Sequence, residues 1–179
     1  MVVVFKPGGM MASVWYAQMM ARYGAWQNES LVSAADQLSD EARRKDRGAF
    51  FGSIFGTLNH LLWADRIWIS RFAATEKPRM GSIGQSVRET EHWQEYRPAR
   101  NVMDRTIRDW AAGLDPAWFE DDLIWWSGAA GREMSKPKSI LVTHFFNHAT
   151  HHRGQIHAML TAAGAKPGAT DLMLLPEEP

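Results

Sequence analysis

The run HFFNHATHHRGQIH, from His144 to His157, carries five of the chain's seven histidines. His148 and His152 stand four residues apart. On an α-helix that spacing sets two imidazoles one above the other on one face, within reach of a shared metal ion. His60, in the apolar segment GTLNHLLWADRIW, offers a third nitrogen from another helix. Two ligands from one helix and a third from a neighbour let a helical bundle hold a divalent cation and keep coordination positions open. Three neutral nitrogens leave such an ion its full double charge, so it can acidify a bound water or polarise a bound thiol or carbonyl. Zinc, nickel and iron(II) all accept imidazole.

With His148 as zero and about 100° per residue, His152 falls near +40°, His144 near −40°, Gln155 near −20° and His151 near −60°. One helix face therefore carries four imidazoles and a carboxamide. Facing an apolar core, each ring would need a hydrogen-bond partner or a metal to offset its desolvation. The neighbours Phe145, Phe146, Ile156 and Leu160 supply none. The plainer alternatives are a surface His pair and a core His60 that is only hydrogen-bonded. His144 and His151 are the candidates for a general base or a group behind the ligands, with packing the plainer reading of each. Gln155 can hydrogen-bond a ligand imidazole or a bound water. Arg153 reads as a substrate-carboxylate anchor or as the partner of Asp65 in a salt bridge, and the second is preferred. Asn59 and Asn147 are expected to tie helices together, His157 to be structural and His92 to be solvated. Trp125 and Trp126 either overhang the site or fill core.

What is missing narrows the chemistry. Ala149, Thr150 and His151 lie between His148 and His152, so the glutamate base of the His-Glu-x-x-His proteases is not there. There is no cysteine, which removes thiolate ligands, disulfides and a cysteine nucleophile; any thiol must come from outside. Twenty basic and twenty acidic residues cancel, giving no electrostatic reason to expect nucleic acid. No apolar run is long enough to span a bilayer, and MVVVF stops at Lys6-Pro7 without a basic leader, so a cytoplasmic protein is expected. Nine tryptophans suggest an aromatic-lined cavity or an oligomer interface.

The elements that must position these residues can be read from apolar periodicity. Helices are expected over about 13–38, 50–72, 86–113 and from Lys136-Pro137-Lys138 to Ala163, ending at Gly164. SDEAR, beginning at Ser39, reads as a stop and a new cap. Residues 73–85 are a linker rich in Pro and Gly. The stretch 114–137 holds two short segments around Ser-Gly-Ala-Ala-Gly, a hairpin signal. The expected architecture is one all-α domain over 1–179, a four-helix bundle with a long crossover and a small β-hairpin-like insertion before the last helix. Residues 1–12 are expected to be an extended N-terminal segment, with Met10 or Met11 as an alternative start, and 165–179 an extended C-terminal tail packed by its leucines.

FNHATHHRGQIHAML followed by AGAKPGATDL resembles the fourth-helix signature of the DinB family of four-helix bundles. GAFFGSIFGTLNHLLWADRIWISRF resembles its second helix. The likeness runs from YAQMMARYGAWQNESLVSAADQLSDE to Thr170-Asp171-Leu172. It implies a divalent metal, zinc or nickel, held by His60, His148 and His152. Relatives with an assigned activity use low-molecular-weight thiols, as transferases or isomerases; others are only described as metal-dependent hydrolases, and many are homodimers. The resemblance thus implies an enzyme acting on a small-molecule substrate, in which the metal activates a thiol or water. The alternative is a non-catalytic, damage-inducible stress-response protein that binds metal.

Overall fold

The structure is a computed structural model that describes residues 12–177. The N-terminal segment expected to be extended, with its alternative start, lies outside the described residues except for Ala12. Serines set the helix starts: the hydroxyls of Ser13, Ser39 and Ser53 accept the backbone N–H of Tyr16, Ala42 and Gly56, filling donors that a first helical turn leaves open. They open α1 (Val14–Asp36), the short α2 (Asp40–Arg44) and α3 (Ile54–Ala73). α4 spans Trp93–Ala112 and α5 Lys138–Ala162. Between them β1 (Asp122–Ser127) and β2 (Arg132–Pro137) pair antiparallel, Trp125 opposite Met134. The chain is thus mostly helical, with the small hairpin directly before the last helix.

Ring contacts and hydrogen bonds fix the directions of the four long helices. Tyr16 meets Phe146, and Arg153 lies over Tyr23, so α1 and α5 run parallel. Leu58 meets Tyr96 and Phe72 meets Trp110, so α3 and α4 also run parallel. Asn28 bonds Asp104 and Trp93 bonds Asp36, setting α1 against α4. His60 faces His152 and Phe72 faces Phe145, setting α3 against α5. Two consecutive parallel helices need a connection that travels back along the bundle, and residues 74–92 are that crossover.

The crossover is tied to α3 along its length. Trp63 Nε1 donates to Met80 O at 2.6 Å. Buried Glu89 accepts from the Arg79 and Met80 amides and from Arg66. Asn59 Oδ1 accepts both the backbone N–H and the hydroxyl of Thr90, at 2.7 and 2.8 Å. These side-chain bonds compete with a helical path. The third long helix therefore begins at Trp93 rather than near 86, and 83–88 is a short 3₁₀ helix. The second long helix starts at Ile54 rather than Phe50 for a similar reason. Gly48 and Gly52 take φ of 71° and 73°, and an Ala49–Gly52 bridge closes a turn that presents Phe50 and Phe51.

Where α1, α3, α4 and α5 meet, the core is charged. Arg100 pairs with Asp65 at 2.7 Å and with Asp104 at 2.8 Å, and Arg153 is buried beside them. Two cations and two carboxylates cancel, which is the condition for keeping such groups out of water. The tail corrects one expectation. Leu172 and Leu174 are exposed, and the segment is instead held by its own carbonyls. Thr170 O accepts from Tyr23 Oη at 2.6 Å, Ala169 O from Gln27 Nε2 at 2.9 Å, and Pro176 O from Arg22 at 2.8 Å.

Candidate metal centre

His60 lies in the second turn of α3, while His148 and His152 lie mid-way along antiparallel α5. One donor atom from each comes within 4.8 Å of the other two. His60 and His152 are buried; His148 is half-buried. The ring centroids are 4.4 Å apart for His148–His152, 4.7 Å for His60–His152 and 5.4 Å for His60–His148.

The hydrogen bonds behind the rings decide which nitrogens are free. Ser86 Oγ donates its one proton to Ile83 O at 2.5 Å, so it can only accept from His60 Nδ1, 2.8 Å away. His152 Nδ1 stands 2.8 Å from Gln155 Oε1, a carbonyl oxygen that accepts. Both rings therefore carry the proton on Nδ1 and present a bare Nε2 lone pair. His152 Nε2 and His148 Nε2 face each other at 3.1 Å. Two nitrogens on one tetrahedral zinc, each about 2.0–2.1 Å from it, would stand about 3.3 Å apart. The donor set fits a divalent ion.

Charge points the same way. Burial, followed by the neighbouring imidazoles His152 and His148, pushes the His60 pKa down to about 3. Burial, then His152, His144 and His151, brings His148 to about 4. His152 is lowered mainly by burial, against a raising contribution from Gln155. Three rings crowded together and shielded from water stay neutral at pH 7, the form that binds a metal.

The surroundings are asymmetric. Phe51 stacks on His60 at 3.7 Å and meets His152 edge-on at 5.5 Å, covering one side. It can lie there because Gly56 lets the turn approach: a Cβ on Gly56 would stand 2.4 Å from Phe51 O. Trp63 backs the other face of this region, its ring 5.8 Å from His60. On the far side His148 meets His144, a surface residue whose ring is half-shielded by Trp68; that desolvation lowers its pKa. His151 is exposed, its ring 5.0 Å from His152.

The structure brings His60, His148, His152 and Gln155 together, and places His144 and His151 at the rim. Arg153 points away from the cluster. It lies buried over Tyr23, 5.7 Å from the ring centroid, and donates to Thr150 Oγ1 at 3.1 Å. Asp65 takes Arg100, not Arg153, as its direct partner. Asn59 ties α3 to the crossover, whereas Asn147 is exposed and bridges nothing among the described residues. His92 is exposed, just ahead of α4, and His157 approaches Gly168 O at 3.4 Å. Trp125 packs on Trp68 rather than on the histidines, and Trp126 points to solvent. Sequence reasoning missed Ser86 and Phe51. Both sit in non-helical segments, where no periodicity marks a facing residue; the flanking Gly48 and Gly52 were the one available signal of a tight turn.

The bundle and its histidines can now be set beside known proteins. Over 156 residues the chain is 24% identical to Protein DinB of Bacillus subtilis (strain 168), covering 87% of this chain and 91% of that protein. No solved structure matches the chain. The sequence pattern of the DinB family matches residues 10–179 and so takes in all three imidazoles and both long helices that carry them; the chain belongs to the DinB family.

Proposed function

We propose that the chain is a metal-dependent enzyme, a thiol transferase or a hydrolase acting on a small molecule, with a divalent ion at His60, His148 and His152. The carrying observation is three converging donors, two of them locked with bare Nε2 atoms, closed by Phe51 on one side and reached past His148 on the other. A structural zinc site is enclosed by four protein ligands; the cluster among the described residues offers three. A position is thereby left for water or substrate. A bound ion supplies Lewis acidity, lowering the pKa of a coordinated water or thiol.

The chain's own residues do the rest. Ser86 and Gln155 fix the ring orientations, and Phe51 keeps bulk water off His60. His144, beside His148 and kept neutral by partial burial, is placed to accept a proton at the rim; His151 is the other rim imidazole. Zinc or nickel suits the donors. A cytoplasmic homodimer is our reading of the rest. No helix is long and apolar enough to cross a membrane, and Trp15 on α1 is 70% exposed, apolar surface that a second copy could cover.

Elemental analysis of the purified protein, beside the triple variant His60→Ala, His148→Ala, His152→Ala, tests the site. About one zinc or nickel per chain is expected, lost in the variant. A protein that takes up neither metal on incubation overturns the proposal. Metal-loaded protein that turns over no thiol or ester substrate favours a non-catalytic metal-binding role.

A further inference from the structure

From the metal centre a row of rings continues along the α3–α5 seam toward the hairpin. His148 meets His144 at 5.5 Å, His144 meets Trp68 at 5.3 Å, and Trp68 meets Trp125 of β1 at 5.8 Å. The row ends on Arg71, whose guanidinium lies 4.7 Å over Trp68 and 5.8 Å from the Trp125 ring. On α3, Arg71 follows His60 by eleven residues, which returns it to within about 20° of the same face and about 16 Å farther along the axis. Helical side chains lean toward the N-terminus, so Arg71 reaches back toward the histidines.

Arg71 differs from the arginines that hold the fold. Arg66, Arg97 and Arg100 are each paired with a carboxylate. Arg71 is half-buried against two indoles, and no carboxylate or hydrogen-bond acceptor is paired with it among the described residues. The indoles support the guanidinium and leave its N–H groups without an acceptor, an arrangement suited to an anion. Trp68 and Trp125 are only partly covered and His144 is at the surface, so the row is open to solvent on the same side as His148. On the opposite side Phe51 closes the centre.

We infer that Arg71 is a specificity residue: the substrate of the metal centre is an elongated molecule whose reacting end sits at the three histidines, whose apolar or flat body crosses His144 and Trp68, and whose far end is a carboxylate bound by Arg71. This rests on the open-site reading proposed above. The metal selects the reacting group, and Arg71 selects length and charge at the other end. Short thiols or esters without a distal anion are then poor substrates, held by the metal alone.

The probes are monohydroxamates of octanedioic, decanedioic and dodecanedioic acid, each compared with the alkyl hydroxamate of equal length ending in an alcohol. A hydroxamate binds the ion whether the enzyme activates thiol or water. With zinc-loaded full-length protein, the longer acids should bind about tenfold more tightly than their alcohols. Arg71→Gln should bring the acids to the alcohols' affinity and leave the alcohols unchanged. Equal affinity of acid and alcohol at every length in the wild type overturns the inference while leaving the metal reading standing, and needs no variant to fold. If neither binds the zinc-loaded protein, the open coordination position is refuted, and the inference falls with it.

Discussion

Acidifying the metal-free protein should destabilise it by an amount that the histidine cluster sets. His60 titrates at about 3 and His148 at about 4 in the folded chain, against 6.5 for an unburied histidine. The unfolded state therefore binds more protons than the folded state at any pH between those limits. Stability is greatest above about pH 6.5 and falls as the pH drops toward the folded values. At pH 5 linkage gives about 2 kcal/mol for His60 alone. Each ring's shift includes repulsion from its neighbours, so the pair is worth about 3 kcal/mol rather than twice the single value. With a urea dependence of about 2 kcal/mol per molar, the unfolding midpoint should fall by about 1.5 M between pH 7 and pH 5. The assay is urea unfolding of chelator-treated protein, followed by tryptophan fluorescence at both pH values. The double variant His60→Gln, His148→Gln serves as reference, because subtracting it cancels the carboxylates that also titrate. Equal pH dependence in the wild type and the double variant would refute the argument that these rings are held neutral by burial and mutual repulsion.

Other perturbations separate the site's supports from the fold's. Ser86→Ala removes the acceptor that fixes His60 Nδ1 and should weaken metal binding about tenfold or more, read by competition with a chromogenic chelator. Gly56→Ala forces the Phe51 turn off α3 and should cost about 1–3 kcal/mol in urea unfolding, an unchanged midpoint arguing against the close approach. Asp65→Ala leaves buried Arg100 and Arg153 with Asp104 as the one remaining carboxylate beside them, and this uncompensated charge should cost about 3–5 kcal/mol, measured by the same unfolding. His148→Ala should abolish stoichiometric metal with helical circular dichroism retained, whereas His92→Ala, at an exposed position, should alter neither metal content nor stability.

The ligand helix was legible because its geometry is local. A spacing of four fixes His148 against His152, and three more residues place Gln155 on the same face whatever the rest of the chain does. His60 could be picked out as a polar ring in an apolar stripe, but its partner Ser86 could not. That contact exists only because the crossover is drawn onto α3 by Asn59, Trp63 and Glu89. Reading 86 onward as helix hid the serine in a charged face. Phe51 was absorbed into a helix by its apolar neighbours, although two left-handed glycines bend the chain there. The tail misled for a simpler reason. Its leucines suggested packing, while the real attachment runs through carbonyls, which every residue has and no side-chain pattern reveals. Arg153 drew a substrate-anchor reading beside the preferred salt bridge because it follows His152, but one step along a helix is about 100° of rotation and carries it into the core.

The three imidazoles and the groups that hold them span the chain from His60 on α3, through Ser86 in the crossover, to Gln155 near the end of α5. Synthesis runs in that direction. A nascent chain that has emerged only as far as the hairpin owns one imidazole of the three, and the pair that faces it comes with α5. An ion held by all three would therefore have to wait until α5 has been made and docks antiparallel to α3, and would report that docking rather than nucleate it.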